Sequence, residues 1–261
     1  MKNMNTLKYP FYNLQIHIMS LQVLSTIFAL SIYFVIFSLL YSYSTLFSVE
    51  AQPSTISDHE FHGYIEQMIG HLDASILNIQ NNNSVLAVAH ALHPIEEILD
   101  VINSRLIQTN ETLAKDFSSK LNKYVQTVRS DNLNKIIIEK RELEKLLSNA
   151  LDQSISLEKR TNRDHILNVT AELITIASEE YAESMSRGNI INFLEYQDGQ
   201  QFFQRSMSLL NKSQAYLSEN DKNYLTGLNK LKKGMDSKID PSEIDMNVKD
   251  MLCEIKKGLY C

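Results

Sequence analysis

Apolar residues recur every three or four positions through most of the chain after residue 57, which is the pattern of amphipathic α-helices. The first predicted helix covers about 58–80, and the second begins at Ser84, its expected N-cap, and continues to about residue 110. Two more helices are predicted at about 111–129 and 133–157. Four consecutive amphipathic helices joined by short loops predict an antiparallel bundle.

The second half of the chain follows the same plan. At a constant shift of 107 positions (224 − 117 = 107), Phe117–Lys123 aligns with Tyr224–Lys230. A constant shift indicates an internal duplication, although amphipathic helices also resemble one another by chance. The corresponding helices are predicted at about 163–186, 190–211, 213–235 and 242–257. We therefore expect an all-α fold with two four-helix-bundle repeats, at residues 52–158 and 162–258.

A long uncharged segment lies near the N-terminus. Residues 16–40 contain no Asp, Glu, Lys or Arg, and about 20 predominantly apolar residues are enough to span a bilayer. Lys2 and Lys8 precede the segment and acidic residues follow it, so the positive-inside rule keeps the N-terminal tail in the cytoplasm. We therefore predict a cytoplasmic tail at residues 1–15 and a transmembrane helix at residues 16–41, with the bulk of the chain extracytoplasmic.

The same segment has a second interpretation, as a signal peptide. The small residues before Gln52 suit signal peptidase, and cleavage after Ala51 would release the rest of the chain. Signal peptides usually have an apolar core of about 7–15 residues, which is shorter than this segment and favours an uncleaved anchor. Both interpretations place residues 52–261 outside the cytoplasm.

Composition narrows the class of function. The low counts of 7 Gly and 4 Pro favour long helices with short loops. A formal charge of −6 argues against a nucleic-acid partner, which needs a basic face. The sequence has no Gly-rich phosphate loop, Gly-x-Ser-x-Gly, Cys-x-x-Cys or His-Glu-x-x-His motif. We therefore expect a binding protein rather than an enzyme.

Candidate chemistry is concentrated in the first two predicted helices, which hold five of the seven histidines. His62 and Glu66 are i,i+4 neighbours on the first helix, and His93 and Glu96 are i,i+3 neighbours on the second, with His90 close by. If the two helices pack antiparallel, these side chains meet and offer imidazole and carboxylate ligands to one metal ion. The predicted metal site therefore consists of these five residues.

Two further residues bear on this site. His71 lies on the opposite side of the first helix and is not expected to join it. Pro94 lies inside the second helix, where its missing N–H frees the carbonyl of His90 and predicts a kink. The alternative is a break between two shorter helices. Because an imidazole must be neutral to bind a metal, we expect binding to weaken as pH falls through about 6.5.

The run Ala89–Glu96, with His-x-x-Glu at His93 and Glu96, resembles the His-x-x-Glu element of imelysin-like extracytoplasmic proteins. It is also similar to the helical soluble domains that accompany the iron permease family. The resemblance implies a duplicated helical bundle that handles iron, or another divalent metal ion, outside the membrane. The permease's own Arg-Glu-x-x-Glu signature is absent, since Arg141–Glu144 is one residue short. A role in uptake therefore implies a membrane permease or another protein as partner.

A second function fits the same pattern of residues. The acidic, histidine-rich stretch then forms only a polar face, and the duplicated bundle serves as a non-catalytic scaffold. Such a domain would be held at the outer membrane surface by the N-terminal helix and would bind another protein through an exposed apolar groove.

Overall fold

A computed structural model describes residues 56–255 of the 261-residue chain. The predicted cytoplasmic tail at residues 1–15 and the predicted transmembrane helix or signal peptide at residues 16–41 lie outside this range. Among the described helices, none combines the length and the apolar character needed to cross a membrane. The described helices belong to one compact unit.

The first half of the described chain is helical, as its periodicity predicts. Its helices are α1 (Asp58–Gln80), α2 (Ser84–His93), α3 (Leu99–Thr109), α4 (Glu111–Arg129) and α5 (Leu133–Ser154), with a π-helix (Pro94–Ile98) between α2 and α3. A capping box starts α1, because the Ser57 hydroxyl accepts from the Glu60 N–H while the Glu60 carboxylate accepts from the Ser57 N–H. The bounds of α1 and α4 match the predicted ones.

Pro94 divides the second predicted helix. Because proline has no N–H to donate, the α-helical bonds stop at His93, and the N–H of Leu99 donates to the carbonyl of Pro94 in the wider i→i+5 pattern. The kink expected here is therefore a π-helical turn. The N-cap also differs from the prediction, since the side chain of Asn83, not Ser84, accepts from the Leu86 N–H.

The second half contains a short hairpin as well as helices. Its elements are α6 (Leu157–Arg160), α7 (Arg163–Ser184), β1 (Met185–Ser186), β2 (Asn189–Ile190), α8 (Phe193–Lys212), a 3-10 turn (Gln214–Tyr216), α9 (Glu219–Asp236) and α10 (Pro241–Ile255). Arg187 and Gly188 form a two-residue hairpin loop in which both residues have positive φ, at 51° and 76°. The predicted helices 163–186 and 190–211 are therefore shorter than expected on both sides of this loop.

Two hydrophobic cores form within the compact unit. Phe61, Phe117 and Tyr124 are fully buried in the first, which involves α1 to α5. Tyr181 and Phe203 are fully buried in the second, which involves α7 to α10. Helix α1 contacts α7 and α8 as well as α2, and α2 contacts α8. The polar faces of α1, α2 and α8 thus meet between the two cores.

Candidate metal centre

Four buried side chains from three helices converge between the two cores. His71 comes from α1, His90 and His93 come from α2, and Asp198 comes from α8. His90 and His93 are about one turn apart and therefore share a face of α2. One ligand atom from each of the four residues lies within 4.8 Å of all the others. Within residues 56–255 this is the one group of three or more His, Cys, Asp or Glu side chains with that geometry.

The carboxylate of Asp198 is the centre of this group. Its Oδ1 lies 2.7 Å from His71 Nδ1 and 3.0 Å from His90 Nδ1, and its Oδ2 lies 3.1 Å from His93 Nδ1. Asp198 is only 1% exposed, so bulk water does not solvate its charge. Because a buried charge is costly unless it is paired, the three imidazoles determine whether this carboxylate is stable here.

The orientation of His90 is set from its far side. Its Nε2 lies 2.8 Å from Gln197 Oε1, and Asn78 Nδ2 donates to the same oxygen at 2.8 Å. Since an amide oxygen only accepts hydrogen bonds, His90 Nε2 carries a proton and Nδ1 faces Asp198. That Nδ1 needs either a second proton or a bound cation between it and the carboxylate. Metal-binding histidines are usually oriented by a partner on their other ring nitrogen in this way.

The hydrogen bonding of His71 bears on whether a metal ion fits the site. Its Nδ1 is buried and only 2.7 Å from Asp198 Oδ1, yet it makes no hydrogen bond of normal geometry. The ring is fixed edge-on against Phe202 and His93, with ring centroids 5.1 Å and 5.0 Å away. A buried ring nitrogen rarely lacks a partner. An ion bound by both the nitrogen and the carboxylate would satisfy it, so the residues present fit a metal.

The buried charges shift the pKa values of side chains in the four-residue group. Burial disfavours the ionised form of Asp198, but contacts with the three histidines outweigh it and hold its pKa far below the usual range. Burial also opposes the charged form of His93, yet the hydrogen bond and charge of Asp198, with Glu97 and Glu195, raise the pKa of His93 to about 9. Without a metal ion, His93 is therefore protonated at neutral pH.

Further carboxylates lie beside the site. Burial, opposed by the nearby histidines and supported by Asp198 and Glu195, raises the pKa of Glu97. Burial and a hydrogen bond to Glu195 raise the pKa of Glu180 to about 8. Glu195 adds to the negative potential near His93, which attracts cations, whereas Glu180, with a pKa of about 8, is largely uncharged at neutral pH.

The five residues predicted to bind one metal ion do not lie together in the structure. It brings His90 and His93 into the four-residue group, whereas Glu96 is exposed. His62 instead meets α7, where its Nδ1 lies 3.0 Å from His165 Nε2 and the two ring planes are inclined by 25°. The predicted pairing of His62 with the second helix is therefore not found.

Glu66 has a cationic partner of its own. Its Oε2 accepts hydrogen bonds from Arg205 Nε at 2.7 Å and Nη2 at 2.5 Å. Its predicted neighbour His62 is within 3.8 Å. Burial works against the charged form of Glu66, but His62 and Arg205 outweigh it and lower the pKa. Since the guanidinium already neutralises this carboxylate, Glu66 belongs to a buried ion pair.

The sequence prediction did not place His71 or Asp198 in the metal site. His71 does lie on the side of α1 away from the predicted site, but that side packs against α8 and not against solvent. Each of the two missed residues adjoins a glycine. A Cβ on Gly199 would lie 2.8 Å from a backbone oxygen of α7, and one on Gly70 would lie 3.0 Å from an aromatic ring of α8. Glycines at mid-helix in a chain with so few were the available signal of close helix contact.

Comparison with protein families gives one match, in the second half of the chain. Residues 156–259 match the iron permease-associated 4-helix bundle domain. The resemblance to iron-permease-associated helical bundles is thereby confirmed for this segment. Comparison with the curated proteins finds no match, and neither does comparison with the solved structures.

The matched segment contains one of the four converging residues. The segment that matches this family includes α6 to α10 and Asp198. His71, His90 and His93 precede it, as does Glu96 of the His-x-x-Glu element. The match therefore does not rest on the residues that suggested the resemblance.

Proposed function

We propose that this protein binds a transition-metal ion through His71, His90, His93 and Asp198, and that the ion is iron carried as cargo. One observation carries the proposal: Nδ1 atoms of three histidines lie within 3.1 Å of a single buried carboxylate. In the absence of a cation each Nδ1 has to present a proton to the carboxylate, and for His90, whose Nε2 proton is directed at Gln197, this is a second proton on a buried ring. A divalent ion bound by the same atoms would replace these protons.

The donor set narrows the choice of ion. Three imidazoles and one carboxylate, without a thiolate, suit Fe²⁺, Zn²⁺ and other divalent first-row metals, whereas Mg²⁺ and Ca²⁺ prefer an all-oxygen set. Iron is the choice favoured by the iron permease-associated domain in the second half. The proposed role is binding and delivery and not catalysis.

The same family match supports a membrane partner. A domain associated with an iron permease is expected to act beside that permease, so we infer a membrane permease as the partner. We infer no role for nucleic acid. We therefore place the helical bundle at the outer face of the membrane, with residues 16–41 as its anchor. If residues 16–41 are instead a cleaved signal peptide, the chain is secreted.

Internal duplication of the bundle is also part of the proposal. Asp131 follows α4 and Lys238 follows α9, at the shift of 107 (238 − 131 = 107), and their φ angles of 54° and 55° are both left-handed. Non-glycine residues rarely adopt this conformation. Its recurrence at the predicted spacing supports two related bundles, with the metal site where they meet.

Isothermal titration of the full chain in detergent, with Fe²⁺ under anaerobic conditions and with Zn²⁺, tests the proposed function. We expect one ion per chain at this site and loss of that binding in His93→Gln. His59→Gln serves as the matched control, because His59 is a partly exposed histidine at the start of α1 that hydrogen-bonds Ser57. Absence of binding by the unsubstituted protein, or equal binding by both variants, would contradict the proposal and favour the scaffold function.

A further inference from the structure

Glu97 is the one carboxylate that both touches the four-residue group and reaches solvent among the contacts described above. Its side chain is 53% exposed, yet its Oε1 lies 3.6 Å from His93 Nδ1 and its Oε2 lies 3.9 Å from His71 Nε2. Asp198 contacts the same two histidines from the buried side. Glu97 and Asp198 therefore both flank His71 and His93, one from the solvent side and one from the interior.

The contact distances of Glu97 suit ligation better than hydrogen bonding. Separations of 3.6 Å and 3.9 Å are longer than a normal N–H···O bond. Two donors on one metal ion, each at about 2.0–2.2 Å, can be separated by up to about 4.4 Å. Only the 3.6 Å contact bears on the ion, because it involves His93 Nδ1, the ring nitrogen that also faces Asp198, whereas the 3.9 Å contact involves His71 Nε2 and not the Nδ1 that faces Asp198. Glu97 is thus beside His93 Nδ1 at a spacing that an ion can fill and that a direct hydrogen bond does not.

The π-helix explains why Glu97, and not Glu96, occupies this position. Glu97 follows His93 by four residues, and the wider turn at Pro94–Ile98 keeps the two side chains on one side, within 3.6 Å. Glu96 is exposed and makes no contact with the group. Single π-helical turns inside α-helices occur frequently at functional sites.

We propose that Glu97 is the solvent-side ligand of the metal site and controls the exchange of the ion with its surroundings. This inference rests on the proposed function. Because its side chain is half exposed, Glu97 can take up a hydrated cation from solvent and pass it to the buried histidines. Glu195 adds to the negative potential near His93. Glu97 would be a second oxygen ligand and would bring the number of protein ligands to five. This set favours iron over zinc, because its donors are harder and zinc sites usually hold four ligands.

Release of the ion to an excess of chelator, followed by stopped flow, is the direct test. The full chain is loaded with Fe²⁺ or Zn²⁺ and compared with Glu97→Gln, Glu97→Asp and the matched control Glu96→Gln. We expect Glu97→Gln to speed Fe²⁺ release about tenfold or more, and Zn²⁺ release less. Glu96→Gln removes the same charge one residue away and should leave both rates within about twofold.

The variants separate ligation from a general effect of charge. Glu97→Asp keeps the charge but shortens the side chain, so it should release Fe²⁺ almost as fast as Glu97→Gln. Equal rates in Glu97→Gln and Glu96→Gln would overturn the inference, and so would a Glu97→Asp variant that behaves like the unsubstituted protein. If the unsubstituted protein binds no ion, the proposed function fails as well, whereas the other two outcomes leave that function standing.

Discussion

His90 Nδ1 lies 3.0 Å from Asp198 Oδ1, although 108 positions separate the two residues in the chain. His90 lies on α2, which contributes to the first core, and Asp198 lies on α8, which contributes to the second. The four-residue group therefore exists only when α2 and α8 are packed together. An ion bound there would hold the two halves to each other. Binding of such an ion would therefore be coupled to folding, and a bound ion should raise the stability of the whole described unit.

Asp198→Asn should abolish tight ion binding. The variant keeps the size of the side chain and removes the charge on which three imidazoles converge. We expect metal affinity to fall by at least about 100-fold, and the stabilisation of the protein by added Zn²⁺, measured by thermal unfolding, to disappear. Asp73→Asn is the control, because Asp73 pairs with Lys140 outside the site. Retained stabilisation in Asp198→Asn would contradict the assignment.

Variants of two histidines of α1 distinguish the metal site proposed from the structure from the metal site predicted from the sequence. His71→Gln should lower metal affinity strongly, because His71 Nδ1 is directed into the group around Asp198. His62→Gln should leave the affinity unchanged, because His62 contacts His165 instead. Titration of both variants with Zn²⁺ measures the two affinities. A strong loss of affinity in His62→Gln with none in His71→Gln would contradict the proposed site and support the site predicted from the sequence.

The stability of the metal-free protein should decrease as pH rises. Asp198 raises the pKa of His93 from 6.5 to about 9, so the charged pair stabilises the folded state fully below pH 6.5 and loses this contribution as pH passes 9. Allowing for solvent screening, we expect a decrease of roughly 1–3 kcal/mol in the free energy of unfolding across this window. Urea unfolding with a chelator present measures it, and His93→Gln should reduce the dependence, leaving the contribution of Glu180, whose raised pKa of about 8 also lowers stability as pH rises.

The same pKa alters the expected pH dependence of metal binding. Sequence alone predicts that protons compete with the metal as pH falls through about 6.5. Since His93 in the folded, metal-free protein keeps its proton up to about pH 9, affinity should still be rising between pH 7 and 9. Titrations at several pH values check this, and an affinity that is constant above pH 7 would contradict the combination of a raised His93 pKa and metal binding by His93.

Loss of Arg205 should destabilise the fold without involving the metal site directly. Arg205 and Glu66 form a hydrogen-bonded pair with side chains only 13% and 10% exposed. Arg205→Met leaves a buried carboxylate without its cation, which typically costs roughly 3–5 kcal/mol. Lys115→Met removes the cation of the exposed pair with Glu111, which should cost at most about 1 kcal/mol. Chemical denaturation of both variants measures the contrast.

Local patterns account for what the sequence predicted well. The capping residue Ser57 and the apolar periodicity after it are sufficient to place α1, and Pro94 is sufficient to indicate a disturbed helix. The pair His90 and His93 was identified because both lie on one helix, at a spacing that puts them on one face.

The positions of His71 and Asp198 in the four-residue group depend on contacts that no local pattern contains. Whether His71 faces solvent or Asp198 depends on the packing of α1 against α8, which follows from the assembly of both halves. Asp198 itself has no nearby histidine in its own helix to mark it. The small hairpin was missed for a different reason, because its loop is defined by the backbone of Arg187 and Gly188 and interrupts two otherwise continuous helical patterns.

Anomalous diffraction at the metal absorption edge, from crystals grown with Fe²⁺ or Zn²⁺, tests the central claim most directly. We expect one strong peak within bonding distance of His71, His90, His93 and Asp198, between α1, α2 and α8. A peak at His62 and Glu66, or no ordered ion at the four-residue group under saturating metal, would contradict it.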